Sequence, residues 1–431
     1  MYPTDTEQIL KAYEEAKRVY RGFGVDTDEA LRQFREIPIS LHCWQGDDVQ
    51  GFEQLGDVAS QNLVTGSYGG AARNARELRQ DIDMAFSLSP CRHRVNLHSM
   101  YAEPKTPTPR NELTAEDFQN WIDWAKEQGY GLDFNASFFT HPMMVDGFSL
   151  ASRRKDVRDY WIKAGIGARA ISAEIGRQLG TVCVNNIWIP DGLKDIPANR
   201  LLYREYLKDS LDQIFALRQD RQYVVDVLEG KLFGIGVESF TVGSHEFYLA
   251  YAAKNHVGVC MDTGHYHPTE SVVDKLSSVA LLVDDLMLHI SRGIRWDSDH
   301  VLIQCDDLTS LMQEMKRGGF FGKIAMGLDY FDASINRVAA WVIGLRAAGK
   351  GMLTALLERS RALCAAALLL QYGQEPEESC REIAPILAKN LTKSQIMRTI
   401  ELLQKYRGEC TYNVGTGHVL GAIAVELEGI L

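Results

Sequence analysis

Residues 257–262 read V-G-V-C-M-D, five small or apolar residues followed by a carboxylate. An apolar run this short reads as a strand buried on both faces, and it stops at Asp262. The pattern recurs downstream and just upstream. Y-V-V-D-V-L-E (223–229) ends at Glu229, L-M-L-H-I (286–290) carries His289, and K-I-A-M-G-L-D (323–329) ends at Asp329. Four earlier runs have the same character: I-P-I-S-L-H-C (37–43), H-R-V-N-L-H (93–98), Y-G-L-D-F-N (130–135) and T-V-C-V-N-N-I-W (181–188). Amphipathic stretches at 72–88, 114–128, 156–179, 200–219, 244–255, 270–283, 306–317 and 332–348 alternate with them. Thr114, three residues before Asp117, forms a capping-box pattern at the head of the second stretch. Eight alternating β and α elements predict an α/β fold, a (β/α)₈ TIM barrel over 37–350. A doubly wound sheet is the structural alternative; it is disfavoured because no Gly-rich phosphate fingerprint follows the first strand.

Outside the barrel, residues 1–36 predict an N-terminal helical segment of one or two helices. Residues 351–431 predict a C-terminal helical extension with helices at Met352–Tyr372, Glu378–Asn390 and Thr392–Tyr406. This extension serves either subunit contacts or packing on its own barrel. The extension ends in a Gly-rich tail, G-T-G-H-V-L-G-A-I-A (415–424).

The 431 residues are 45% hydrophobic and 24% charged, which suits a globular protein with a large core. A net charge of −11 argues against nucleic acid or an anionic membrane as partner. The N-terminus is charged from its first residues, and the longest apolar run, near Ala365–Leu370, is far too short to span a bilayer. The eight cysteines are dispersed with no C-x-x-C pair, so a reducing, cytoplasmic setting without disulfides is expected, with Cys43, Cys183 and Cys260 inside strands.

The carboxyl face of a barrel is its reactive face. Strand ends there carry His42, His98, Asn135, Trp188, Glu229, Asp262, His289 and Asp329. One His or Asp at a strand end is usually only a satisfied polar group. Several converging carboxylates are costly unless a cation joins them. Asp262-Thr-Gly-His265 places a Gly turn where it can swing His265 back towards Asp262. Asp297 and Asp299, two apart in R-W-D-S-D-H (295–300), share a face if extended, and their repulsion would be relieved by a divalent ion. His267 reads as a surface residue. Lys231 lies beside Glu229 across Gly230; a plain ion pair is the ordinary reading, donation to a substrate oxygen the functional one. Seven oxygen and imidazole candidates are too many for one ion and suit two of the Mn²⁺, Mg²⁺, Co²⁺ or Zn²⁺ type.

Longer motifs carry a resemblance. H-C-W-Q-G-D-D-V (42–49), G-L-D-F-N (131–135), N-I-W-I-P-D-G-L-K-D (186–195), K-L-F-G-I-G-V-E-S-F-T-V-G-S (231–244), M-D-T-G-H-Y-H-P-T-E (261–270), R-W-D-S-D-H-V (295–301) and G-L-D-Y-F-D-A-S-I-N-R-V-A-A-W (327–341) resemble the L-rhamnose isomerase family from about residue 5 to 360. The resemblance implies a metal-dependent aldose–ketose isomerase, a cytoplasmic homotetramer that takes a small sugar as substrate. It implies two divalent cations per subunit, Mn²⁺ first among them. Glu229, Asp262, His289 and Asp329 would hold a structural ion; His265, Asp297 and Asp299 a catalytic one, with Asp262 close to both. Lys231, His265 and Asp329 are the expected catalytic residues, and His98, Trp188, Lys231 and Trp44 the expected substrate contacts. The implied chemistry interconverts L-rhamnose and L-rhamnulose by a metal-assisted hydride shift between C2 and C1; an enediol route through a carboxylate base is the rival. A related aldose isomerase of broader preference, a non-catalytic sugar-binding protein and a metal-dependent phosphodiesterase are the other readings. Beyond about Leu357 the chain departs from the usual family ending.

Overall fold

The computed structural model describes residues 5–22, 24–53, 65–234, 236–294, 299–358, 380–381, 384–385, 388, 391–409 and 414–431. The chain divides into two compact units, one formed by residues 1–33 with 353–431 and the other by 34–352.

The larger unit is a closed ring of eight parallel strands. They are β1 (Pro38–His42), β2 (Arg92–His98), β3 (Gly131–Asn135), β4 (Cys183–Ile187), β5 (Val224–Glu229), β6 (Gly258–Asp262), β7 (Leu286–His289) and β8 (Ala325–Leu328). Each pairs with its neighbours in chain order, and β8 closes on β1 with Leu328 beside Leu41. All eight expected strands are present. Some expected ends are trimmed: Cys43 begins a 3₁₀ turn (Cys43–Gly46) just past β1, and Trp188 and Asp329 follow β4 and β8 rather than end them.

The helices that follow the strands are α3 (Ala75–Ser87), α4 (Gln119–Gln128), α5 (Lys155–Leu179), α6 (Arg200–Ile214), α7 (His245–Asn255), α8 (Val272–Ala280), α9 (Asp306–Arg317) and α10 (Arg337–Leu356). Ahead of them lie α1 (Thr6–Gly22) and α2 (Thr27–Glu36). The Thr114 capping box forms, with the Thr114 N–H donating to Asp117 Oδ2 at 2.8 Å, but it opens a 3₁₀ turn (Ala115–Phe118) that runs into α4. A two-residue antiparallel ribbon, Gly192–Leu193 with Phe240–Thr241, ties the loops after β4 and β5 together.

Within the ring, side chains alternate inward and outward. Val184, Val227, Cys260 and Met287 form an apolar layer, and the polar strand ends lie one layer towards the carboxyl face. Two buried ion pairs, Arg94 with Asp133 at 2.8 Å and Arg169 with Asp226 at 2.9 Å, join neighbouring strands and helices near the opposite end.

The smaller unit contains α11 (Lys393–Glu409) and α12 (Val414–Glu428). Ile396, Ile400, Leu403, Leu420, Ile423, Ala424 and Leu427 share one apolar cluster with Cys380 and Ala384. The Gly-rich stretch therefore lies within a helix, since burial of one face outweighs the cost of its glycines. Most of the expected helices at Met352–Tyr372 and Glu378–Asn390 fall outside the described residues. The six described cysteines are free thiols, and no described helix is long and apolar enough to cross a membrane.

Gly129 ends α4 at φ 72°, and its N–H reaches back to Lys126 and Ala125 carbonyls. A Cβ added there would meet nothing within 4 Å. Gly129→Ala therefore isolates backbone strain from sterics. Urea unfolding should show a loss of about 1 kcal/mol, the left-handed penalty less the entropy saved in the unfolded chain. An unchanged or higher stability would contradict it.

Candidate metal centre

The polar layer is assembled by strand register. Asp262 is level with His289 across β6 and β7, Glu229 is level with Cys260, and His289 is level with Gly327. The absence of a side chain at Gly327 matters, because a Cβ there would sit 3.0 Å from His289 Cδ2. Asp329, just past β8, stands level with His42 by extension of the Leu41–Leu328 pairing.

Donor atoms of Glu229, Asp262, His289 and Asp329 lie within 4.8 Å of one another, all four residues buried. His289 Nδ1 is 3.2 Å from Glu229 Oε2, 3.0 Å from Asp329 Oδ2 and 3.9 Å from Asp262 Oδ2. A second group, Asp262, His265 and Asp299, meets the same limit, so Asp262 belongs to both. His265 Nδ1 is also 3.1 Å from Glu229 Oε1, which links the groups again. Asp299 holds a left-handed backbone at φ 39°. Asp297 lies outside the described residues. His267 is exposed and bonds Thr269 Oγ1 at 2.7 Å, away from both groups.

The D-T-G-H turn is built for this placement. The Gly264 N–H donates to Asp262 Oδ1 at 2.6 Å, and Ser291 Oγ donates to the same oxygen at 3.2 Å. A Cβ on Gly264 would come 2.6 Å from Ser291 Oγ, so the turn needs glycine. Asn186 on β4 donates to Glu229 Oε2. Glu229 Oε1, Asp262 Oδ2 and Asp329 Oδ1 are buried yet accept no well-directed hydrogen bond among the described residues. Buried carboxylate oxygens without such partners are expensive, and their clustering with imidazole nitrogens fits an oxygen-preferring divalent cation. The electrostatics agree. Burial, with Glu229 and Asp329 beside it, pushes Asp262 up to about 7 against the pull of His265. Despite its own burial, Glu229 is held well below the usual carboxylate range by His289 and His265. His289 is also deeply buried, yet Cys260, Glu229 and Asp329 hold it well above the ordinary imidazole value. The cluster favours positive charge.

Aromatic rings line the adjoining space. Trp44 stacks on His98 with centroids 4.2 Å apart, Phe331 meets Trp44 edge-on at 5.7 Å, and Phe139 bridges Trp44 (5.9 Å) to Trp188 (5.6 Å). Lys231 Nζ lies over Trp188 at 4.9 Å, and Trp188 is 6.4 Å from His265. Lys231, His98, Trp188 and Trp44 thus share one wall next to the donors. Sequence reasoning missed Phe139, Phe331 and Asn186. The first two sit on loops without periodicity; Asn186 is legible only from strand parity, two residues on from inward-facing Val184.

The L-rhamnose isomerase (RhaA) family model matches residues 7–374. The match reaches past Leu357 and leaves 375–431 without a counterpart. The L-rhamnose isomerase of Rhodopirellula baltica is 51% identical over 356 residues, covering 82% of this chain and 83% of that protein. The L-rhamnose isomerase of Listeria monocytogenes serotype 4a is 48% identical over 352 residues, covering 81% and 84%. Among solved structures, an L-ribulose 3-epimerase aligns with a TM-score of 0.48 and 12% identity over 78% of this chain and 99% of that one. A family model spanning most of the chain, and relatives with about half their residues in common over four-fifths of it, place this chain in the L-rhamnose isomerase family.

Proposed function

We propose that the chain is a metal-dependent aldose–ketose isomerase that interconverts L-rhamnose and L-rhamnulose. One observation carries this: two donor groups, one of four residues and one of three, share Asp262 beside an aromatic wall. Glu229, Asp262, His289 and Asp329 would hold one divalent cation. Asp262, His265 and Asp299, with Asp297 two residues away in sequence, would hold another; Mn²⁺ is the first candidate for both. Bound there, such ions act as Lewis acids on adjacent sugar oxygens.

The chain's own residues supply the rest. Lys231, held over Trp188, donates to a sugar oxygen as charge builds on it. His98, stacked on Trp44, serves as part of the wall against which the sugar packs, its two nitrogens facing His42 and Ser137. The ring series Phe331–Trp44–Phe139–Trp188 keeps water from C1 and C2, which favours direct transfer of hydrogen between those carbons over exchange with solvent. The same family reading extends to a cytoplasmic homotetramer, which sedimentation of the pure protein checks.

The test is an assay of chelator-stripped protein given Mn²⁺ or Co²⁺ and a panel of aldoses in deuterated water. L-Rhamnose should be converted fastest, with little deuterium at C1 of the ketose. No metal-dependent turnover of L-rhamnose refutes the proposal, and faster conversion of another aldose reassigns the substrate. Extensive deuterium at C1 would favour an enediol.

The Asp262 carboxyl adds a pH signature. It must lose its proton to bind a cation, and so must His289, which its neighbours hold protonated above the ordinary imidazole value, so apparent Mn²⁺ affinity should climb as pH rises through about 7 and go on climbing above it. In the metal-free protein the sign reverses. A carboxyl whose folded value is raised binds more protons folded than unfolded, so stability should decline as pH climbs from about 4 to about 7. Mn²⁺ titrations between pH 5 and 8 check the first part; a flat profile contradicts it.

A further inference from the structure

Behind the donors runs a chain of three buried imidazoles. His289 turns Nδ1 to Glu229, Asp262 and Asp329, and turns Nε2 the other way, 3.3 Å from His42 Nε2. The two rings meet edge to face at 86°. The other nitrogen of His42, Nδ1, lies 3.0 Å from His98 Nε2 and 3.5 Å from Asp329 Oδ1. His98 Nδ1 in turn is 3.4 Å from Ser137 Oγ. His42, His98 and His289 are no more than 1% exposed.

An imidazole ring keeps at least one N–H, so a ring that accepts at one nitrogen carries its proton on the other. Facing nitrogens at these distances need one proton between them. For His289 to offer a lone pair from Nδ1, its proton must sit on Nε2, where, among the described residues, the ring nitrogen within reach is that of His42. His42 must then accept at Nε2 and carry its own proton on Nδ1. That proton points at His98 Nε2, which leaves the proton of His98 on Nδ1, facing Ser137. Each assignment forces the next.

We propose that His42 is a positioning residue: it fixes the tautomer of His289 for cation binding and, through the same ring, the tautomer of His98. This rests on the metal-centre reading above. His42 stands on the Nε2 side of the His289 ring and approaches the carboxylates through Nδ1, 3.5 Å from Asp329 Oδ1.

The test is a titration of the full chain with Mn²⁺, following free ion by electron paramagnetic resonance. His42→Phe keeps a flat ring but removes the acceptor, and should weaken Mn²⁺ binding about 10–100-fold, with a lower metal-free melting temperature because two buried ring nitrogens lose their partner. His42→Gln presents an amide oxygen to His289 Nε2–H and should recover most of that loss. Unchanged affinity in His42→Phe overturns the proposal, as does a Gln variant no better than Phe. If the Phe variant does not fold, ¹⁵N-histidine spectra of the unmutated, metal-free protein decide. The His42 proton should be on Nδ1, and finding it on Nε2 overturns the proposal. An unmutated protein that binds no Mn²⁺ would sink the metal-centre reading instead, while the same spectra still report on His42.

Discussion

Asp262→Asn should reduce kcat/KM by at least about a thousandfold at saturating Mn²⁺, equivalent to about 4 kcal/mol of lost transition-state stabilisation. The size of the effect follows from position. Asp262 is fully buried and is the one residue common to both donor groups. Its Oδ1 is engaged by the Gly264 N–H and Ser291 Oγ, and an amide oxygen can keep both bonds. Its Oδ2, the oxygen without a hydrogen bond, becomes an N–H₂ group that points positive charge at the ions. The substitution is nearly isosteric, so the fold should persist. The metal-free protein should even gain stability, since one buried carboxyl leaves a cluster in which Glu229 and Asp329 repel it. Steady-state kinetics with parallel Mn²⁺ counting check this, and activity within tenfold of the parent would refute the shared role.

Glu229→Gln should separate stability from chemistry. Glu229 lies in the four-residue group but not in the group of Asp262, His265 and Asp299. The hydrogen bond from Asn186 can persist to the glutamine oxygen. What is lost is a charge that joins β5 to β6, β7 and β8 through a bound ion. A ligand present at a hundred times its Kd stabilises the folded state by about 2.7 kcal/mol. The parent should therefore melt well above its metal-free form, and the variant should lose most of that increment while its metal-free melting temperature holds or rises. Equal melting temperatures for the two metal-loaded proteins would show that Glu229 does not hold a structural ion.

The barrel was legible because parallel strands buried on both faces are written as short unbroken apolar runs, and V-G-V-C-M-D is as plain a case as L-M-L-H. Five of the seven proposed ion ligands, Glu229, Asp262, His265, His289 and Asp329, were legible for a related reason: they close such runs or follow them within one turn, and their donors do converge. What sequence could not show was contact across the ring. His42 meets His98 over a separation of 56 residues and His289 over one of 247, and no periodicity encodes either. Phe139 and Phe331 lie on irregular loops, where side-chain direction depends on the backbone path. The helix at Val414–Glu428 was obscured by its glycines, whose cost is met only by the burial of Leu420, Ile423 and Leu427 in a cluster with distant residues.

The order of the strands gives the site an order of assembly. Glu229, Asp262, His289 and Asp329 come from β5 to β8, which are consecutive in the chain and neighbours in the ring. The whole quartet proposed to hold an ion therefore belongs to the second half-barrel. His42 and His98 belong to β1 and β2, and His42 reaches His289 only across the last seam, where Leu41 pairs with Leu328. A growing chain owns His42 and His98 long before it owns the four donors, and His42 can meet His289 only once the last strands have been made. Closure of that seam, a contact of very high sequence separation and hence among the slowest to form, is the event that completes the centre.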